Sequence, residues 1–193
     1  MPEPKPKRAV ASLFSRPLLA GAMAAAAAAA APAPALADIF LFLDGIEGES
    51  LDAKHKDQID ILSYSQSFRN VTSTIGGGAG TGKVTCGDIT LLKNIDKSSP
   101  QLIQAVTKGT HIAKGVLTFQ TTGKTQAAYY TVTLTDILIS SIDQSDTADA
   151  ARIVERTTLT PAVFEFEYRA QKADGSLDAG IKFKYDCKAN KAG

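Results

Sequence analysis

A single stretch, 93–111, predicts a helix with both of its ends specified, and it constrains the fold because the segments around it have the pattern of strands. Ser98 or Ser99 can cap the first turn with its hydroxyl, and Pro100 suits the first helical position. Gly109 ends the helix. The apolar positions recur at offsets of three and four along one side, and they are Leu102, Ile103 and Val106. The sequence therefore predicts one short helix, about 99–108, lying on a β-sheet.

Alternating or continuous apolar runs separated by turn residues predict strands through the rest of the chain after residue 37. The cleanest alternation places aromatic residues inward and most charges outward over 162–170. Gly123 stands inside the predicted hairpin turn between the two longest strands. The predicted strands are 38–46, 59–68, 84–92, 112–120, 127–142, 162–170 and 181–187.

One of these strands is expected to bend. Its apolar phase slips at Asp136, after which Ile137 and Ile139 continue one register later, as at a bulge. Pro161 must likewise sit at an edge, a bend or a strand start, because it has no N–H for a sheet ladder. Strands that bend in mid-length are typical of a small barrel or a curved sandwich.

The first 37 residues have the three parts of a secretory signal. A basic start precedes an apolar run over 18–31, and Ala35-Leu36-Ala37 forms a small-x-small cleavage site that would leave Asp38 first. A disordered Ala/Pro head or a misassigned start codon is the alternative, and the protein would then be cytoplasmic. The alanine run has too few large apolar residues for a membrane span, so we expect no stable anchor. The expected division is a head, 1–37, and one domain, 38–193.

A glycine-rich arm interrupts the strands between 70 and 82. Residues 77–83 satisfy the first part of a phosphate-binding loop, but Val84 stands where Ser or Thr must hold magnesium. A strand pattern follows where a helix would be needed. We therefore expect an arm that contacts the next subunit or ring, and its glycines are Gly76, Gly77, Gly78, Gly80 and Gly82.

The residues favour neither catalysis nor a cofactor. His111 lies just past the predicted helix, where an imidazole more often satisfies carbonyls than catalyses, and no nucleophile motif is present. The acids over 44–57 do not have calcium-loop spacing, and His55 stands between two lysines. A formal net charge of +1 over 193 residues does not favour nucleic acid. A ligand-binding barrel and an assembly subunit remain as the two classes.

The two cysteines, Cys86 and Cys187, allow two interpretations. An exported pair tends to bridge where the geometry permits. Both cysteines follow apolar strand faces, however, and this favours two separately buried thiols acting as small hydrophobes. A disulfide between them is the possibility that remains open.

Several short motifs, in order, resemble one family. They are Asp-Ile-Phe-Leu at 38–41, Asp-Gly-Ile-Glu-Gly-Glu-Ser at 44–50, Gly-Lys-Val at 82–84, Ile-Asp-Lys-Ser-Ser-Pro at 95–100, Phe-Glu-Tyr at 166–168 and Gln-Lys-Ala-Asp-Gly-Ser at 171–176. This set resembles the haemolysin co-regulated proteins (Hcp), which build the inner tube of type VI secretion systems.

The resemblance implies a mainly β fold, a compact barrel of two sheets with one flanking helix. It also implies homohexameric rings that stack into a hollow tube, with a spike protein, a contractile sheath and small effectors as partners, and no enzymatic activity. Because tube subunits assemble in the cytoplasm, the export signal leaves an alternative. In that alternative, an exported paralogue acts as a binding or adhesive module in the periplasm or outside the cell.

Overall fold

The computed structural model describes residues 37–70, 83–122, 126–146, 152–172 and 174–193. One helix stands among short and long strands, as the sequence predicts. The elements are β1 (Ala37–Leu43), β2 (Ile59–Ile61), β3 (Ser63–Ser65), β4 (Phe68–Asn70), β5 (Val84–Cys86), β6 (Ile89–Asn94), α1 (Ser99–Lys108), β7 (Ile112–Thr121), β8 (Ala128–Ser145), β9 (Val154–Tyr168), β10 (Ile181–Asp186) and β11 (Lys191–Ala192).

The antiparallel pairings follow a closed circuit. β9 pairs with β8, β8 with β7, β7 with β1, and β1 with β2. The chain then passes directly from β2 into β3, which pairs with β6, and β6 returns to β9. Leu62, the residue between β2 and β3, donates its N–H to the carbonyl of Leu92 at 2.7 Å. The circuit removes most open edges, as in a small barrel. β10 and β11 extend the sheet from β9.

The second sheet is a two-stranded ribbon of β4 and β5. The sequence predicts one strand over 59–68 and one over 84–92, and both predictions are wrong in detail because each range is divided. The first divides into three short strands so that the chain can switch partners at a barrel corner. The second breaks at Gly87, whose N–H donates to the carbonyl of Ser67 at 2.7 Å and closes the base of the ribbon.

The core fills the barrel with apolar side chains from β1, β2, β6, β7, β8 and β9, together with helix α1. Fully burying such a side chain stabilises the fold by roughly 1.5–3 kcal/mol. The largest fully buried apolar residues are Leu41, Leu43, Ile59, Ile89, Leu91, Leu102, Leu117, Leu134, Ile137, Leu159 and Phe164.

Helix α1 covers one side of this core, but two details differ from the prediction. Leu102 and Ala105 are buried, whereas Ile103 is 40% exposed, so the buried stripe of the helix is narrower than predicted. Ser98 occupies the N-cap position without making a side-chain cap bond. Its hydroxyl instead donates to Asp96 Oδ1 at 2.5 Å. Gly109 ends the helix with φ of +62°, as expected.

The predicted bend in β8 is confirmed. Asp136 has φ of +53°, in the left-handed region that short polar side chains tolerate. This single residue shifts the inward face, so Val132 and Leu134 are buried before it and Ile137 and Ile139 after it.

Pro161 lies inside β9, opposite Ile137 in β8. On the other side of β9, β6 pairs as far as Leu159 and β10 pairs from Val163 onward. Pro161 thus stands where one neighbouring strand has ended and the next begins. A residue without an N–H is tolerated there because that position lies outside both ladders.

Candidate assembly surface

A cavity of about 580 Å³ opens between the ribbon and the sheet, and we call it the aromatic groove. Its rings come from strands on both sides. β9 and β10 place Phe166 opposite Phe183, and Phe68 reaches across from the ribbon. The lining residues are Tyr64, Gln66, Phe68, Val84, Tyr130, Phe166, Phe183 and Tyr185.

The rings of the groove pack in aromatic geometries. The Phe166 centroid lies 6.5 Å from that of Phe183 and 6.3 Å from that of Tyr130, both nearly parallel. Phe68 meets Phe166 edge-on at 5.7 Å. Burial raises the pKa of Tyr64 and of Tyr130 above its ordinary value, so both phenols stay neutral. The groove is therefore an apolar surface with uncharged hydroxyls.

One amide is left unsatisfied at the groove. The hydroxyl of Tyr64 donates to Gln66 Oε1 at 2.6 Å. Gln66 Nε2 is buried, and no described residue accepts its hydrogen bond. A buried donor without a partner is costly, so an acceptor from another molecule would be favourable here.

The groove continues onto an exposed sheet edge. Ile181 is 74% exposed and Phe183 is 50% exposed. β11 pairs with β10 only at Tyr185 and Asp186, so within the described residues Ile181 to Phe183 have no strand partner on their outer side. An apolar edge of this kind favours pairing with another chain.

A second exposed apolar cluster lies beside the start of the helix segment. Leu51 is 96% exposed, and it lines a cavity with Ile95 and Arg152. Ile95 donates its N–H to the carbonyl of Ile153, another exposed apolar residue, at 3.1 Å. Exposed apolar groups that cluster mark interaction surfaces more often than single ones do.

Cys86 and Cys187 form a disulfide, with their Cα atoms 6.1 Å apart. The interpretation as two separate thiols is therefore wrong in this structure. The sequence could not show this because its pattern predicts one long strand over 84–92, which would include both Cys86 and the residues after Gly87. Once the chain breaks at Gly87, β5 leaves the barrel wall and lies beside the end of β10.

The family motif at 95–100 takes part in a buried polar cluster around Lys93. Lys93 is 1% exposed and its Nζ contacts Asp96 Oδ1 at 2.9 Å and Glu155 Oε1 at 3.4 Å. Its third partner is the hydroxyl of Ser99 at 3.0 Å. Gln144 Nε2 donates to the other oxygen of Glu155 at 2.8 Å. The cluster ties the start of α1 to β6, β8 and β9.

His111 contacts a carboxylate, whereas the sequence favoured carbonyl partners. Its Nδ1 lies 2.5 Å from Asp136 Oδ1, and Lys188 Nζ lies 2.5 Å from the other oxygen. The hydrogen bond from Lys188, and then that from His111, lowers the pKa of Asp136. These exposed contacts of Asp136 link the bend in β8 to Lys188, the residue that follows Cys187 of the disulfide.

The side chains of the acidic loop before β2 make contacts that hold the loop in place. Asp52 Oδ1 accepts the N–H groups of Lys54 and His55, and the first of these bonds lowers the pKa of Asp52. The His55 ring stacks on Phe40 at 4.4 Å. No group of three or more His, Cys, Asp or Glu side chains in the described ranges is arranged to hold a metal ion.

Several predicted positions fall outside the described residues. The glycines of the arm, 76–78, 80 and 82, and Ala35 of the cleavage site lie there. Ala37 and Asp38 are described, and they begin β1 opposite Thr121 and Gln120. Among the described residues, no helix is long and apolar enough to cross a membrane.

The comparisons with known proteins agree with this architecture. Residues 40–168 match the family described as type VI secretion system effector, Hcp. Protein hcp1 of Pseudomonas aeruginosa is 35% identical over 156 residues, which cover 79% of this chain and 96% of that protein. A solved type six secretion system protein superposes with a TM-score of 0.77 at 25% identity, covering 82% of this chain and 100% of its own.

Hcp1 from Salmonella typhimurium superposes with a TM-score of 0.66 at 29% identity, covering 81% of this chain and 98% of its own. The similarity thus extends over almost the full length of each relative. The resemblance seen in the sequence motifs is confirmed, and the chain belongs to the Hcp family of type VI secretion system proteins.

Proposed function

We propose that this chain is the ring-forming subunit of a type VI secretion tube. Its membership of the Hcp family carries the proposal, because residues 40–168 match the family and the fold agrees over nearly all of each relative. Hcp proteins are secreted structural components of this system. Six copies would close into a ring, and rings would stack around a lumen that holds small effectors, with a spike and a contractile sheath as further partners.

The open edge of β10 supports ring formation. A closed ring with one chain type needs two different surfaces on each copy, since each subunit contacts its two neighbours head to tail. The edge at Ile181 and Phe183 with the aromatic groove supplies one apolar surface. The cluster of Leu51, Ile95 and Ile153 supplies a second.

Native mass spectrometry of the chain from Asp38 to Gly193 tests the ring. We expect a hexamer for the unaltered protein and folded monomers for Phe183→Asp, because an aspartate cannot be buried unpaired against an apolar neighbour. Ile103→Asp is the matched control, since it adds the same charge at an exposed apolar site on α1. If Phe183→Asp still forms hexamers, this edge is not part of the interface between subunits.

The glycine-rich arm is proposed to contact the next ring. The ribbon of β4 and β5 holds both of its ends, since Asn70 pairs with Val84. Deleting residues 76–80 should leave the melting temperature of the monomer nearly unchanged and abolish stacking of rings in electron micrographs. A large loss of monomer stability would show instead that the arm belongs to the core.

The head, 1–37, is proposed to be a cleaved export signal that precedes the domain 38–193. The start of β1 at Ala37 supports a cut beside the barrel that removes only one residue of a strand. Intact-mass measurement on protein recovered from the periplasm or the medium should give a chain that begins at Asp38. A chain that still carries the head would refute export by this route.

The aromatic groove supports a second candidate function for this chain, that of an exported binding module. A cavity of about 580 Å³ is large enough for a small molecule, and Gln66 Nε2 offers it a hydrogen-bond donor. In that case, native mass spectrometry should show a monomer that retains a small apolar ligand, and Phe183→Asp should lose it.

A further inference from the structure

The backbone of the ribbon of β4 and β5 contributes little to holding the ribbon against the barrel. Its strands pair only with each other among the described strands, from Phe68 opposite Cys86 to Asn70 opposite Val84. Two-stranded ribbons are marginally stable in water by themselves. What holds this ribbon in place must therefore be side-chain contacts or a covalent bond.

The side-chain contacts between the ribbon and the barrel centre on one ring, that of Phe68, which meets Tyr185 edge-on at 6.2 Å. The ring of Phe68 packs edge-on against Phe164 at 5.2 Å and Phe166 at 5.7 Å, although Phe68 remains partly exposed. Val84 donates its N–H to Asn190 Oδ1 at 3.1 Å in an exposed position. Solvent competes with such a bond, so its net contribution is small.

The disulfide is the strong attachment. It joins Cys86, at the end of the ribbon, to Cys187, which follows β10. The N–H of Cys187 donates to the carbonyl of Ala162 at 2.9 Å, so the second cysteine is itself fixed to β9. Cys187 is thus the fixed end of the covalent link, and Cys86 is the end that holds the ribbon.

The disulfide is also accessible to reagents. Both sulfur-bearing residues line a cavity of about 220 Å³ that is open to solvent. Charged and titratable groups surround it, and they are Asp88, His111, Asp136 and Lys188. Lys188 and His111 both contact Asp136, so the Lys188 cation near the sulfurs already has a carboxylate partner. The cavity gives a thiol or disulfide reagent a route to the bond.

We propose that Cys86 and Cys187 form a redox lock that fixes the ribbon of β4 and β5 only outside a reducing compartment. In closing, the two thiols release two protons and pass two electrons to a disulfide oxidant. One cysteine thiolate first forms a mixed disulfide with it, and the other then displaces the oxidant's remaining sulfur. The products are the Cys86 to Cys187 bond and the oxidant as two thiols.

The lock predicts two states of one fold. In the reducing cytoplasm the thiols persist and the ribbon moves away from β10, whereas in an oxidising compartment it is held. The barrel circuit does not include β4 or β5, so it remains intact in both states. The lock stands apart from the ring proposal, because attachment of the ribbon is measured within one subunit.

Amide hydrogen exchange on the full-length protein, oxidised and reduced with dithiothreitol, tests the lock. Reduction should raise exchange at 68–70 and 84–86 by at least about tenfold and leave β1, β7 and β8 unchanged. The variant Cys86→Ser with Cys187→Ser should exchange rapidly at the ribbon without reductant and should not respond to dithiothreitol.

Two results would overturn the proposal. Unchanged ribbon exchange after reduction, with both thiols alkylated to prove cleavage, would show that the side-chain contacts suffice. Faster exchange throughout the barrel would show that the disulfide stabilises the whole fold and has no selective hold on the ribbon. Phe68→Ala separates the contributions, because in the oxidised protein it should leave the ribbon protected.

Discussion

Replacing Lys93 with methionine should be among the most damaging single changes in the barrel. Lys93 and Glu155 are 1% and 0% exposed, and the Nζ to Oε1 distance is 3.4 Å. Methionine fills much of the same space and removes the cation, so Glu155 keeps only neutral donors from Gln144 and Thr157. Removing one partner of a buried ion pair costs about 3–5 kcal/mol, because the remaining charge is buried without compensation.

Urea denaturation followed by circular dichroism measures this loss, since the chain has no tryptophan. Adding Glu155→Gln to Lys93→Met should restore at least about half of the free energy of unfolding, because the uncompensated charge is then gone. Lys97→Met is the control. Lys97 forms its ion pair with Glu47 in solvent, at 3.2 Å, so its loss should not exceed experimental error. Equal effects at Lys93 and Lys97 would refute the reasoning.

Three further predictions follow from single features of the fold. Replacing both Cys86 and Cys187 by serine should lower the free energy of unfolding by less than about 1 kcal/mol, because the barrel circuit does not include the ribbon; a loss near the about 4–5 kcal/mol that chain entropy alone gives for a separation of 101 residues would contradict this in urea. The hydrogen bond from Lys188 lowers the pKa of Asp136, so the unaltered protein should be more stable than Asp136→Asn at neutral pH, and this advantage should shrink as the pH falls below the ordinary value of 3.8. A pH-independent difference in melting temperature would argue against the ion pair. Gly109→Ala should cost about 1 kcal/mol because φ is +62°, and Gly109→Asn should cost less; equal stabilities would remove backbone strain as the cause.

The sequence predicted well those elements that depend on local chemistry. Gly109 and Pro100 bounded α1, and the phase slip at Asp136 located the bend because a change in the inward face is visible in one strand. The alternating aromatics of β9 gave its core face only in part, because Phe164 is fully buried whereas Tyr168 is 47% exposed. The family could also be recognised, because several motifs occur in order along the chain, two of them in the loop at 44–50 and at the start of α1 over 95–100.

Features that depend on pairing between distant segments could not be predicted. The division of 59–68 into strands with different partners arises from barrel closure, and no local residue marks it. The disulfide was underestimated for the same reason, since the position of Cys86 depends on the break at Gly87. Ser98 and Ser99 serve the Lys93 cluster instead of the helix cap, because the Ser98 hydroxyl donates to Asp96 and the Ser99 hydroxyl accepts from the buried Lys93 cation.

Part of the aromatic groove is indicated by the sequence itself. Phe166, Phe183 and Tyr185 alternate within two strands that a short connection makes antiparallel neighbours, so their rings must share one face. What the sequence lacks is the position of Phe68, which comes from the ribbon. The groove exists only once both sheets are in place.

Negative-stain electron microscopy of the unaltered protein, over a range of concentrations, tests the central claim of a ring-forming subunit most directly. We expect annuli of uniform diameter at low concentration and short stacks of them at high concentration, because each subunit has two separate apolar surfaces for its neighbours. Dispersed particles of monomer size at every concentration would contradict the account.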